Sequence, residues 1–139
     1  MANEAVIYEL FNGIPAINFT IASGAAIEKG TLMAITGSRT AAAASTAGQP
    51  FAGITASEKV VSGNYDTSST LGLHTCGIFG LKATADPLGI PLGSLVEMSG
   101  ANQIRAFITL VSLSGGSVVG KALSAAAASA VIPVAVGVY

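Results

Sequence analysis

The residues with the best claim to chemistry lie at Gly115-Gly116-Ser117-Val118-Val119-Gly120-Lys121-Ala122, where glycines and a lysine follow an apolar run at phosphate-loop spacing. Such a loop cradles phosphates on backbone N–H groups and uses a Ser or Thr hydroxyl after the lysine to reach Mg²⁺. Here Ala122 follows Lys121, and Glu97 is the last carboxylate in the chain, so no later acid completes a metal site. The glycines are read as a hairpin turn.

A second pair, His74 and Cys76, stands two residues apart, so that on one strand both side chains would point the same way. Two ligands do not make a zinc site, and the chain has one His and one Cys in all. Cys76, beside Ile78 and Phe79, is expected to fill core space as a small hydrophobe. No nucleophile has a visible base: there is no Gly-x-Ser-x-Gly elbow, and the seven acids run from Glu4 to Glu97 without pairing, which reads as solvated surface charge. No catalytic, cofactor-binding or metal-ligating residue is assigned, no small-molecule substrate is implied, and the protein is expected not to be an enzyme.

Composition points elsewhere. Only six Lys or Arg and seven Asp or Glu stand in 139 residues, 9% charged, against roughly a quarter in an ordinary globular protein. A subunit packed against neighbours can do with fewer surface charges than a free monomer, so the deficit argues for burial by partners. The basic residues Lys29, Arg39, Lys59, Lys82, Arg105 and Lys121 are scattered singly, without clustered aromatic residues, which leaves no electrostatic footprint for nucleic acid. From Ala106 to Tyr139 the one charge is Lys121. That stretch is nevertheless Ala- and Ser-rich and broken by Gly115-Gly116, Gly120, Pro133 and Gly137, so no membrane helix is expected. The segment after Met1 carries Glu4 and Glu9 before any Lys or Arg, unlike a secretory signal, and the single Cys76 fits a reducing compartment; synthesis and retention in a cytoplasm are expected.

The elements that would position these residues are short. Runs rich in Ile, Val, Thr and Phe, bounded by Gly, Ser, Asn or Pro, recur as in an all-β domain. The strands expected are Ala16 to Ile21, Thr31 to Ile35, Phe51 to Ala56, Leu71 to Cys76, Ile78 to Leu81, Ser94 to Met98, Ile104 to Leu113, Val118 to Leu123 and Ile132 to Val138. Ile17, Phe19 and Ile21 fall on one face, opposite Asn18 and Thr20. Of two Ala-rich pieces, Ala122 to Ala130 could be a short helix, and Thr40 to Ala47 a strand or an ordered loop.

An internal echo bears on the fold. Gly30-Thr31-Leu32-Met33-Ala34-Ile35 is similar to Gly93-Ser94-Leu95-Val96-Glu97-Met98, and further on Gly53 within Phe51 to Ala56 answers Gly120 within Val119 to Leu123. The reading is a mainly β, compact, barrel- or tulip-like domain of two similar halves, over residues 14–139, with at most one or two short helices. Residues 1–13 form an arm with Val6, Ile7, Tyr8, Leu10 and Phe11, set off by Asn12-Gly13 and Pro15. An arm so apolar is expected to be an interface, added to a neighbour's sheet edge or laid in a groove. The alternative is an edge strand of its own domain.

Four stretches, Ala25 to Leu32, Phe51 to Ile54, Gly77 to Ala83 and Ile90 to Val96, resemble tailed-virus head decoration (capsid cement) proteins, and Val119 to Leu123 is similar to the segment before their final strand. The chain departs from them in its Ala-rich Ala41 to Ala44 and Ala125 to Ala128. The resemblance implies a β-rich structural virion protein that binds the exterior of an assembled capsid and stabilises it. It implies a major capsid protein as partner, a homo-oligomer with a trimer favoured, and no cofactor. Such a protein acts by burying surface across capsomer joints, where apolar area contributes about 25 cal/mol per Å² and many copies act together. The alternative in another class is a self-assembling tail-tube or surface-layer subunit.

Overall fold

The computed structural model describes residues 3–11, 13–22, 24–59, 69–84, 89–107 and 115–138. Within these, the short apolar runs become strands β1 (Val6–Glu9), β2 (Ile17–Thr20), β3 (Leu32–Gly37), β4 (Thr40–Ala43), β5 (Phe51–Thr55), β6 (Thr70–His74), β7 (Gly77–Ala83), β8 (Leu95–Gly100), β9 (Gln103–Ala106), β10 (Val118–Ala122) and β11 (Val131–Val136). No helix occurs among the described residues.

Two closed five-stranded barrels result. The first runs β2-β4-β3-β5-β6; the second closes as β7-β9-β8-β10-β11 through the parallel β7–β9 pairing, with β1 added beside β7. Strand order and direction match throughout, each barrel having one parallel joint, Thr20↔Thr40 in the first and Lys82↔Gln103 in the second. The repeat extends to single hydrogen bonds. Ile27 and Lys59 exchange backbone bonds at 2.9 and 2.7 Å, as Ile90 and Ala126 do at 2.9 and 2.9 Å. Hairpin β3–β4 closes at Gly37↔Thr40 and β8–β9 at Gly100↔Gln103, with Arg39 (φ 47) and Asn102 (φ 53) in corresponding left-handed positions.

The echo seen in the sequence falls on these equivalent strands, β3 with β8 and β5 with β10. Its glycines have a packing reason. A Cβ at Gly53 would meet the His74 carbonyl oxygen at 2.8 Å, and one at Gly120 would run into the Ala135 carbonyl, the matching atom of the other barrel. Backbone approaches backbone too closely there for any side chain.

The Ala122 to Ala130 stretch is not a helix. Its Ala126 is held extended by the bridge to Ile90, and Ser129 takes a left-handed φ of 63°. Backbone pairing outweighs alanine's helix propensity here. Thr40 to Ala47 begins as β4 and continues to a bridge between Thr46 and Gly100 of the second barrel. The part of the expected Ile104 to Leu113 strand beyond residue 107 lies outside the described residues.

Met33, Ala41, Leu71 and Leu73 belong to one apolar cluster. A larger cluster combines Phe79, Leu81, Val96, Met98, Ile104, Val119 and Val134 with Leu32, Ala34, Ala44 and Ile54 of the first barrel. Successive residues of β3 thus serve two cores, as alternation along a strand requires. Polar ties reinforce the junction: Leu32 N–H donates to the buried Asn102 Oδ1 at 2.9 Å, and Phe51 N–H donates to the Gly116 carbonyl at 2.8 Å.

Candidate functional site

The N-terminal segment is a strap joining the two barrels. Ala5 N–H donates to the Gly30 carbonyl of the first barrel at 2.7 Å. The chain then runs antiparallel to β7 with Val6↔Gly80, Ile7↔Phe79 and, after a bulge, Glu9↔Ile78. Glycines on β7 let it approach closely: a Cβ at Gly80 would lie 2.7 Å from the Tyr8 hydroxyl oxygen, and one at Gly77 would lie 2.9 Å from the Glu9 carbonyl oxygen. Lys82 Nζ donates to Asn3 Oδ1 at 3.2 Å. Of the two roles open to this segment, the structure displays the edge strand of its own domain.

The five expected interface residues divide by face. Ile7 is half-buried against the shared core and Phe11 is half-buried, whereas Val6, Tyr8 and Leu10 remain 57%, 54% and 43% exposed. Further along the chain, Ile14 and Ile17 are 48% and 43% exposed. Sequence reasoning placed Ile17 on a buried face with Phe19 and Ile21. Ile21 is buried and Phe19 half-buried, but Ile17 stands at the start of a strand with few neighbours. From Leu10 to Ile27 the sequence holds no charged residue, and that signal was available in advance.

The residues with possible chemistry are structural. Lys121 lies inside β10, so the phosphate-loop pattern becomes a strand where such a site needs a helix N-terminus. Gly115-Gly116 do form a turn, but not a hairpin between neighbours: β10 pairs with β8 and β11 and not with β9, the strand before it. His74 ends β6 and Cys76 sits in the bend before β7, so they do not share a strand. The His74 ring packs on Phe79 at 5.9 Å between centroids, and burial, then the Lys29 charge, holds it below its ordinary pKa of 6.5. Cys76 is half-buried with its sulfur 3.8 Å from Thr75 Oγ1. Among the described residues no three His, Cys, Asp or Glu side chains gather as a metal site, and no helix is long and apolar enough to cross a membrane.

Two charges are buried, and one of them, Glu97, belongs to the acids expected on the solvated surface. Lys59 is 2% exposed and donates from Nζ to the Ala25 carbonyl at 3.2 Å. Glu97, 1% exposed, accepts from Arg105 Nε at 2.7 Å across the β8–β9 ladder. Glu97 ties β8 to β9, and Lys59 ties the segment after β5 to the segment before β3. A hollow of about 180 Å³ beside β4 is lined mainly by Ile21, Ile27 and alanines, with Thr36 and Thr40 supplying its polar side chains.

Fold and surface together define an all-β protein of two like barrels, joined by a shared core and a strap, with exposed apolar side chains on β1, on β2 and between them. No protein-family model matches the chain, and no curated protein matches it.

Proposed function

We propose that this chain is a structural virion protein that binds the outer surface of an assembled capsid and stabilises it. The observation that carries the reading is the exposure of the apolar side chains Val6, Tyr8, Leu10, Ile14 and Ile17 on a chain with only 9% charged residues. Large apolar side chains exposed on a sparsely charged surface suit a protein partner. Rigid closed barrels suit a part that adds contacts without moving, and the resemblance to head decoration proteins supplies the kind of partner. The major capsid protein is that partner on this reading, the chain acts as a homo-oligomer with a trimer favoured, and it is made in the host cytoplasm and ends on the capsid exterior.

Co-sedimentation of the purified chain with preformed shells lacking it tests the proposal. The chain is expected to pellet with shells, and to do so less when Val6, Tyr8 and Leu10 are replaced by Ser. Failure of the unaltered chain to pellet would overturn it. Assembly of the chain alone into tubes or sheets would overturn it in favour of a tail-tube or surface-layer subunit.

A further inference from the structure

The two barrels share strand order and direction and differ in what covers one strand edge. In β7, backbone groups of alternate residues face away from β11, and β1 covers them at Ile78 to Gly80. Matching the barrels by their ladders sets Ile17 of β2, paired with Leu73, against Phe79 of β7, paired with Val134. The edge equivalent to Ile78 to Gly80 is then Ala16 to Asn18, and no strand pairs with it among the described residues. The parity is set by Ile21 N–H donating to the Ser69 carbonyl at 2.8 Å, on the β6 side, and Thr20 N–H donating to the Arg39 carbonyl at 2.8 Å, on the other. Ala16 and Asn18 therefore aim their backbone groups outward. The one cap is Arg39, whose Nη2 donates to the Asn18 carbonyl at 3.0 Å from an exposed, flexible side chain.

We infer that the Ala16 to Asn18 edge of β2 is a strand-addition site for a second copy of this chain, filled by the outer edge of that copy's β1. The equivalent edge already shows what fits, since the strand on β7 is this chain's own Val6–Glu9. That strand ends its sheet, so among the described residues no strand pairs with its other edge while it stays docked on its own β7. The two edges match in chemistry: Val6 and Tyr8 are exposed on one, Ile14 and Ile17 on the other. Natural sheets usually protect open edges with inward charges or lysines; Leu10 to Ile27 carries no charge of its own, and the charge set against this edge is the exposed Arg39, which a pairing strand would displace. The contact joins unlike surfaces head to tail, so repeated contacts close as a ring when the rotation between copies permits.

This deepens the homo-oligomer part of the proposed function and is tested in solution without shells. Light scattering behind size exclusion, over a concentration series, reads the oligomer formed by the full chain, Asn18→Pro, Ile17→Lys and Val6→Lys. Asn18→Pro removes an outward N–H and leaves the β6 ladder bonds in place; Ile17→Lys keeps the backbone and adds a charge. Circular dichroism and melting identify any variant that fails to fold, and the remaining two then decide. The unaltered chain is expected to self-associate and each folded variant to do so about tenfold more weakly or worse. A monomeric unaltered chain overturns both this inference and the homo-oligomer reading, leaving shell binding to be judged by co-sedimentation. An oligomer unaffected by the folded variants overturns the edge assignment alone.

Discussion

Asn102 offers the sharpest test of how the two barrels are held together. Its side chain is 1% exposed, its Oδ1 accepts the backbone N–H of Leu32 at 2.9 Å, and Leu32 is itself fully buried. Asn102 also takes a φ of 53°, a conformation asparagine tolerates and alanine does not. Asn102→Gly keeps the backbone free to adopt that angle but leaves the Leu32 donor without its acceptor, which costs about 1–3 kcal/mol. Asn102→Ala adds left-handed strain of about 1–2 kcal/mol, for a total of roughly 2–5 kcal/mol. In a chain of this size the glycine variant should melt roughly 3–10 °C lower. Urea unfolding followed by circular dichroism gives the free energies directly. The expected order is wild type, then glycine, then alanine, with one cooperative transition in each because the larger core spans both barrels. A glycine variant within about 0.5 kcal/mol of wild type would refute the reasoning, as would an alanine variant no less stable than glycine.

Three further outcomes follow from the same geometry. Gly120→Ala, whose Cβ would run into the Ala135 carbonyl, is expected to cost about 3 kcal/mol or more, whereas Gly93→Ala, in open space at φ 77°, should cost only about 1–2 kcal/mol; equal losses in urea would contradict the close approach of β10 and β11. Arg105→Ala should destabilise by about 3 kcal/mol, the low end for uncovering a buried charge because Arg105 is 33% exposed. Adding Glu97→Gln should restore most of that loss, so additive effects in a double-mutant cycle would argue against a buried carboxylate. The folded pKa of His74 lies below its ordinary 6.5, so as pH falls through that value the unfolded chain takes up a proton the folded chain resists, and stability declines until the lowered folded pKa is passed. His74→Gln should flatten this part of the urea-midpoint profile, and a wild-type chain that gains stability over the window relative to it would reverse the assignment.

Much of the architecture was legible because it rests on spacing. Apolar runs between glycine and polar breaks marked most strands, and the Gly30 to Ile35 and Gly93 to Met98 echo marked the repeat, since equivalent strands face equivalent constraints. The glycines matched best, because a close backbone approach excludes every side chain. What spacing could not show was set by tertiary pairing. The Ala122 to Ala130 composition suits helix or loop, and the bridge from Ala126 to Ile90 decides it from more than thirty residues away. Glu97 looks like any surface acid until Arg105 and the strands that bury it are known, and nothing in the spacing of Lys59 marks it as buried. Ile17 alternates with Phe19 as a core residue would, and its exposure comes from a neighbour strand that reaches only as far as Thr20. The strap's apolar content was plain, but its seat on Gly77 and Gly80 required the second barrel to exist first.

The most direct measurement of the central claim is electron cryomicroscopy of shells lacking this chain, imaged before and after its addition. The expected result is new density on the exterior at repeated capsomer positions, large enough for two small barrels, together with shells that rupture at higher temperature. Shells unchanged in density and heat stability at saturating protein would contradict the claim, and density confined to a tail or to free polymers would place the chain in a different assembly.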